Sequence, residues 1–200
     1  MNMQFSVADD FNTFKKFISE QLSGRKKRSI NFPEYRKSAV MILFMEKDNS
    51  PHVLLTLRTD KVSTHKGQVS FPGGGYDSSD KDFLDTALRE TMEEVGIPPE
   101  EIEILGEFDE YISIAGFHVY VHVGALNKVQ EYVVCRDEID EMLEVPFSLF
   151  YNEKYTKCEK FTHEGRDFDI YYYDYGKAVI WGMTARILTD FARKICKESK

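Results

Sequence analysis

The sequence predicts an α/β domain in which a mixed sheet lies between helices. Three observations predict it. Strand-like apolar runs alternate with helical segments along the chain instead of segregating into blocks, as in layered α/β and α+β domains. Three segments repeat apolar residues at helical spacing. The 200 residues, 42% hydrophobic and 30% charged, suit one compact domain with its own core.

Val7 to Leu22 predicts an amphipathic helix, because Phe11, Phe14, Phe17, Ile18 and Leu22 recur at helical spacing and Gly24 ends the run. The basic stretch Arg25-Lys26-Lys27-Arg28 follows. It is either a solvated connector, the ordinary reading of a short charge run, or a phosphate or partner patch. Residues 1–37 thus form an N-terminal helix and basic connector, and residues 38–200 the main domain. Ala39 to Phe44 is a continuous apolar run suited to a buried strand. Val53 to Leu57 is a second strand, after a turn at Asp48-Asn49-Ser50-Pro51. Phe83 to Val95 predicts a helix with Ser79 as N-cap, Asp82 three positions on, and Gly96 and Pro98 as stop signals. Ile102 to Phe108, His118 to Val123 and the aromatic run Asp169 to Tyr173 read as strands. Ile180 to Ile195 closes the chain as an amphipathic helix, with Trp181 in the core.

The formal net charge of -8 and pI near 5.2 speak against nucleic acid and anionic membranes as partners. A small anionic substrate stays open, since a bound cation reverses the local field. No apolar stretch approaches the length of a bilayer span. Cys135, Cys158 and Cys196 are odd in number, far apart and in no CxxC arrangement, which fits neither a disulfide scaffold nor a zinc site. Three unpaired thiols suit a reducing compartment. No secretory signal is legible in MNMQFSVADDF and no peroxisomal address in CKESK, so the expected location is the cytoplasm. Monomer and homodimer are both open.

The chemistry concentrates between Phe71 and Ile97. Glu90, Glu93 and Glu94 stand at i, i+3 and i+4 and share one helical face, while Phe83, Leu84, Ala87, Leu88 and Val95 form an apolar face. On spacing alone, a solvated acidic face is the commoner explanation. The glycines Gly73-Gly74-Gly75 just upstream fit the alternative, a cation site. Such backbone approaches a ligand closely and offers carbonyl oxygens, and hard cations take carboxylate oxygens. Arg89 can fork onto a carboxylate and hold the cluster. Further along, Glu138 is a candidate base or ligand, with a solvated acidic loop as the alternative. His65 is a candidate phosphate contact or proton carrier. Phe117 and Tyr111 are candidates to stack an adenine, with core packing as the alternative.

This segment resembles the Nudix box, G-x5-E-x7-R-E-U-x-E-E-x-G-U, with U a bulky apolar residue. Arg89, Glu90, Glu93, Glu94, Gly96 and Ile97 match its second half without a gap, and Thr91 takes a U position. The first half departs: Lys81 stands where the box has a glutamate, and Asp80 and Asp77 are the candidates to supply that carboxylate. The resemblance implies an α/β/α Nudix sandwich with the box as loop-helix-loop. It implies Mg²⁺ or Mn²⁺ held by Glu90, Glu93, Glu94 and the Gly73 carbonyl, and hydrolysis of a pyrophosphate linkage in a nucleoside diphosphate derivative. Arg89, Glu93, Glu94 and Glu138 are the catalytic candidates. Leu54, Leu55, Thr56, Arg58, Gly67 and Phe71 to Gly74 further resemble the coenzyme A pyrophosphatase branch, with its pattern LLT-x-R-(S/A)-x3-R-x3-G-x3-FPGG. Gly116-Phe117 and the run Ile180 to Leu188 are similar to that branch too. Thr59 and Ser63 depart from it, Ser63 replacing an arginine for which Lys61 or Lys66 could substitute. The substrate contacts implied are Arg58, Ser63, His65, Lys66, Gly67, Gly74 and Phe117, and the substrate is coenzyme A. The rivals are a Nudix hydrolase of ADP-ribose, dinucleotides or nucleoside triphosphates, and a Nudix-like nucleotide-binding regulatory module with little turnover.

Overall fold

The structure, a computed structural model, describes residues 10–59, 67–127, 132–163 and 165–197. Strand β1 (Arg36–Lys47) runs through its centre. Side chains alternate across a strand, and both faces of β1 are buried. Ala39, Met41, Leu43 and Met45 point one way, Ile42 and Phe44 the other, and none is more than 2% exposed. That double burial is why the run read as continuously apolar.

Strand β2 (Ser50–Arg58) returns antiparallel along one edge of β1. Beyond it the same edge pairs with β4 (Gly73–Gly75), while β3 (Val69–Ser70) pairs with β2. The other edge of β1 pairs in parallel with β7 (Phe117–Leu126). Strands β5 (Ile102–Glu107) and β6 (Tyr111–Ile112) lie against β7, and β8 (Ile139–Pro146) against β2. The sheet is mixed and the fold is α/β, as the sequence predicts.

Helix α2 (Phe83–Val95) covers the Ala39–Met41–Leu43 face through Ala87 and Val95. The opposite face is covered by α1 (Phe11–Ser23) and, later in the chain, by α4 (Gly182–Phe191). Phe44 meets Phe14 edge-on at 4.9 Å and Phe191 at 5.7 Å. Helix α1 therefore packs into the same core as the sheet. It starts at Phe11, where Asp10 accepts from the N–H groups of Asn12 and Thr13; Val7 to Asp9 lie outside the described residues. A second sheet, β9 (Lys157–His163), β10 (Arg166–Tyr175) and β11 (Ala178–Trp181), turns Tyr171, Tyr173 and Ile180 into this core. The short α3 (Ser148–Tyr151) links the two sheets.

Three local expectations are corrected. The N-cap of α2 is Asp82, whose side chain accepts from Asp85 N–H at 2.9 Å. Ser79 instead donates its N–H and hydroxyl to Asp77. Ile180 and Trp181 belong to β11, so alternation buries Ile180 and leaves Trp181 40% exposed, parallel to the Tyr172 ring. The basic run is a connector with Lys26 and Arg28 exposed, but it is not an open patch, because three of its four residues are bonded to the segment 107–110. Arg25 pairs with Asp109 at 2.6 Å, Lys27 pairs with Glu107, and Arg28 donates its backbone N–H to Asp109 and its guanidinium to the Glu110 carbonyl. Among the described residues no helix is long and apolar enough to cross a membrane.

Candidate active site

Helix α2 is locally determined. Asp82 satisfies an N–H that the first turn leaves unpaired. Gly96, at φ 72°, ends the helix in the left-handed conformation and returns its N–H to Met92. Between these ends, burial of Ala87, Thr91 and Val95 turns Glu90 and Glu94 toward the glycine strand β4.

At Gly73 and Gly74 a side chain has no room. At Gly73, with φ 153°, a Cβ would lie 2.4 Å from the Ala39 carbonyl oxygen. At Gly74 it would lie 2.4 Å from the carboxyl carbon of Glu90. The Glu90 head group thus occupies the space a side chain on β4 would take. Glu94 is 3% exposed; it accepts from Gly73 N–H at 3.2 Å and from Arg58 Nη1 at 3.1 Å. Burial pushes Glu94 up to about 7, against the pull of Gly73 N–H and Arg58, with Glu90 and Glu138 adding repulsion. Burial also raises Glu90, and Glu93 and Glu138 add to the effect. Glu93 stays 59% exposed, paired with Arg89.

Arg89 carries the second half of the arrangement. Its Nε and Nη2 grip Asp80 at 2.8 and 3.1 Å, and Nη1 reaches Glu90 at 2.8 Å and Glu93 at 3.1 Å. Asp80 is buried, accepts also from Thr86 and from Asp77 N–H, and is held far below the usual carboxylate range, chiefly by Arg89. Of the two acidic candidates, the structure brings Asp80 to Arg89; Asp77 turns onto Ser79, and Lys81 is exposed.

Glu138 joins from a loop stitched to both neighbours. Cys135 N–H bonds to the Glu94 carbonyl at 3.0 Å and Thr59 N–H to the Glu138 carbonyl at 2.8 Å. Thr59 Oγ1 bonds to the Asp137 carbonyl. Arg58, at the end of β2, reaches Glu138 through Nη2 at 3.5 Å and so bridges Glu94 and Glu138. Gly67 donates its N–H to the Arg58 carbonyl at 3.2 Å. Ser63, His65 and Lys66 lie outside the described residues. Phe117 opens β7 on the face opposite α2, with the Arg36 guanidinium 4.2 Å from its ring centre. Sequence spacing did not reveal the Arg58–Glu94 and Arg58–Glu138 contacts, because their partners are 36 and 80 residues apart.

The donors gathered here are oxygens, the set a hard divalent cation takes. Among the described residues no three Asp, Glu, His or Cys side chains stand close enough to enclose an ion. Magnesium-type sites commonly use one or two carboxylates and fill the remainder with water and substrate phosphate. A buried Glu94 and a half-buried Glu90 that repel each other, with Glu90 cradled against Gly74, fit such a cation.

Comparison with known proteins agrees with this geometry. Residues 34–163 match the NUDIX domain family model. The Nudix hydrolase NudL of Enterobacter sp. (strain 638) is 34% identical over 183 residues, covering 92% of this chain and 95% of that protein. Nudix hydrolase 22, chloroplastic, of Arabidopsis thaliana is 34% identical over 160 residues, covering 76% of this chain and 53% of that one. A MutT/nudix family protein from Enterococcus faecalis shares the fold at a TM-score of 0.52 and 18% identity, over 95% of this chain and 75% of its own. The family match spans the glycine strand, the carboxylate helix and the Glu138 loop together, and the chain belongs to the Nudix hydrolase family.

Proposed function

We propose that the protein hydrolyses the pyrophosphate linkage of coenzyme A or acyl-coenzyme A, giving 3',5'-ADP and 4'-phosphopantetheine or its acyl form. Nudix hydrolases generally need divalent metal ions, and we assign Mg²⁺ or Mn²⁺ to Glu90, Glu94 and the Gly73 carbonyl, with Glu93, now exposed and paired with Arg89, as the further ligand that would turn in on binding. The observation that carries the substrate is the upstream motif. Leu54, Leu55, Thr56 and Arg58, then Gly67 and Phe71 to Gly74, follow the coenzyme A branch; the first four lie on β2 and Gly73 and Gly74 on the glycine strand, and Glu94 bonds to Arg58 and to Gly73.

When bound, the cation supplies neutralisation of phosphate charge and acidification of a water. The chain's own residues do the rest. Arg89 fixes the orientation of Glu90 and Glu93. Glu138, tethered through Arg58, takes the proton as the water oxygen bonds to phosphorus and the bridging P–O bond breaks. Arg58, Gly67, Gly74 and Phe117 line the substrate path.

The test is a panel of coenzyme A, ADP-ribose, dinucleotides and nucleoside triphosphates with Mg²⁺ or Mn²⁺, read by product mass. Coenzyme A should give the highest kcat/KM. Glu94→Gln should cut kcat at least ~100-fold, a barrier rise of roughly 2.7 kcal/mol, with the fold retained by circular dichroism. Faster hydrolysis of ADP-ribose would sink the coenzyme A reading. Near wild-type turnover by the variant would sink the metal assignment. Binding with no metal-dependent product from any compound would make the protein a regulatory module.

A further inference from the structure

Among arginines whose side chains are described, Arg25, Arg28, Arg58, Arg89, Arg136 and Arg193 each donate to an oxygen of the protein. Arg36 and Arg186 do not. The Arg36 guanidinium stands 4.2 Å from the centre of the Phe117 ring. That of Arg186 stands 5.7 Å from the Tyr111 ring and 5.0 Å from the Phe168 ring. Stacking on an aromatic face leaves the N–H fork of a guanidinium free for a planar or tetrahedral anion. Arg36 is exposed and Arg186 half-buried, so a ligand can reach both.

The two arginines share one location. Tyr111 of β6 pairs with Val119 of β7, and Phe117 lies two residues before Val119 on the same side of the strand. Phe117 and Tyr111 are thus diagonal neighbours, roughly 7–8 Å apart at Cα. Asp190, one turn beyond Arg186 on α4, accepts from the Tyr111 hydroxyl at 2.9 Å and makes no ion pair with Arg186. On β1, Arg36 precedes by four residues Val40, the partner of Gly73 in the glycine strand. Four residues of strand span roughly 13 Å, a gap that a ribose and an arginine side chain bridge together. The cluster lies at the glycine-loop end of β1, across the sheet from the carboxylate helix.

We propose that Arg36 and Arg186 form a second anion subsite, walled by Phe117, Tyr111 and Phe168, for a phosphate monoester on the ribose of the nucleotide substrate. The subsite deepens the coenzyme A reading and rests on it for the identity of that nucleotide. It supplies the positive charge that Ser63 does not. In a chain of net charge -8, two cations without a carboxylate partner among the described residues make this a place where a second substrate phosphate is favoured.

The test uses the full chain and two readouts. With Mg²⁺ or Mn²⁺, KM is compared for coenzyme A and 3'-dephospho-coenzyme A in wild type, Arg36→Gln and Arg186→Gln. Each substitution should raise KM for coenzyme A about tenfold more than for the dephospho compound, the scale of one lost charge-assisted hydrogen bond. Separately, titration calorimetry compares 3',5'-ADP with 5'-AMP. Wild type should bind 3',5'-ADP at least about tenfold more tightly, and both variants should lose that preference. Equal KM changes on both substrates, or no binding preference in wild type, would overturn the subsite. If neither coenzyme is hydrolysed, the coenzyme A reading fails, while the calorimetric comparison still decides the subsite. Arg36 is exposed, so Arg36→Gln keeps the test decisive should Arg186→Gln unfold the protein.

Discussion

Arg89 reaches several acceptors at once: both oxygens of Asp80, the carboxylates of Glu90 and Glu93, and the Gly75 carbonyl. Its partner Asp80 is 2% exposed, and a buried carboxylate with a forked guanidinium is costly to break from one side. Asp80→Asn should therefore lower stability by about 2–3 kcal/mol, somewhat below the figure for a fully buried pair because Arg89 is 29% exposed. It should also lower turnover, since Arg89 then holds Glu90 and Glu93 less firmly. Lys81→Ala, on an exposed side chain, should change stability by less than about 0.5 kcal/mol. Urea melts and steady-state rates check both; the reverse ranking would show that the acidic position of the box is not Asp80. The Nudix pattern left Asp77 and Asp80 open because a one-residue difference in loop length cannot be resolved by counting. Burial of Asp80 against Arg89, with Asp77 turned onto Ser79, favours Asp80 for that position.

Among the elements, the C-terminal π-helical turn Ala192–Lys197 depends on charges supplied from elsewhere in the chain. Glu153, just after α3, accepts from Arg193 and Lys197, and Lys194 pairs with the buried Asp109. Hydrogen bonds from Arg193 and then Lys197 lower Glu153 to about 2, below its ordinary 4.5. A carboxylate lowered on folding adds stability at pH values above its unfolded pKa, and that stability is lost as pH falls through the folded value. Wild type should accordingly melt higher than Glu153→Gln at pH 7, and the difference should disappear between about pH 4.5 and pH 2. A difference that persists unchanged at pH 2 would rule out the linkage. Local spacing could not show this tie, because Glu153 and Arg193 are 40 residues apart.

At the scale of the whole molecule, α1 and α4 close one face of the sheet and α2 closes the other. Phe14 is fully buried and packs on Phe44 and Phe147. Phe14→Ala should cost about 3–5 kcal/mol, visible as a large drop in the urea midpoint, while the same substitution on a helix that only decorated the domain would change little. Residues 10–23 are then part of one cooperative unit with the sheet.

What the sequence determined by itself was local. The span of α2, its Gly96 stop, the shared face of Glu90 and Glu94, and the buried character of β1 follow from periodicity and helix-stop signals within a dozen residues. Those short-range patterns sufficed for the α/β class and for the acidic helix behind the glycines. Tertiary structure decided everything that needed two distant segments to meet. It joined Arg58 to Glu94 and Glu138, and the basic run to Glu107, Asp109 and Glu110. It folded the second sheet so that Ile180 faces inward and Trp181 outward. Among the described residues it left Arg36 and Arg186 without a carboxylate partner. The physical reason is common to these cases. Burial and ion pairing depend on which surfaces face each other across the core, and a one-dimensional pattern carries the periodicity of a segment but not the identity of its neighbour.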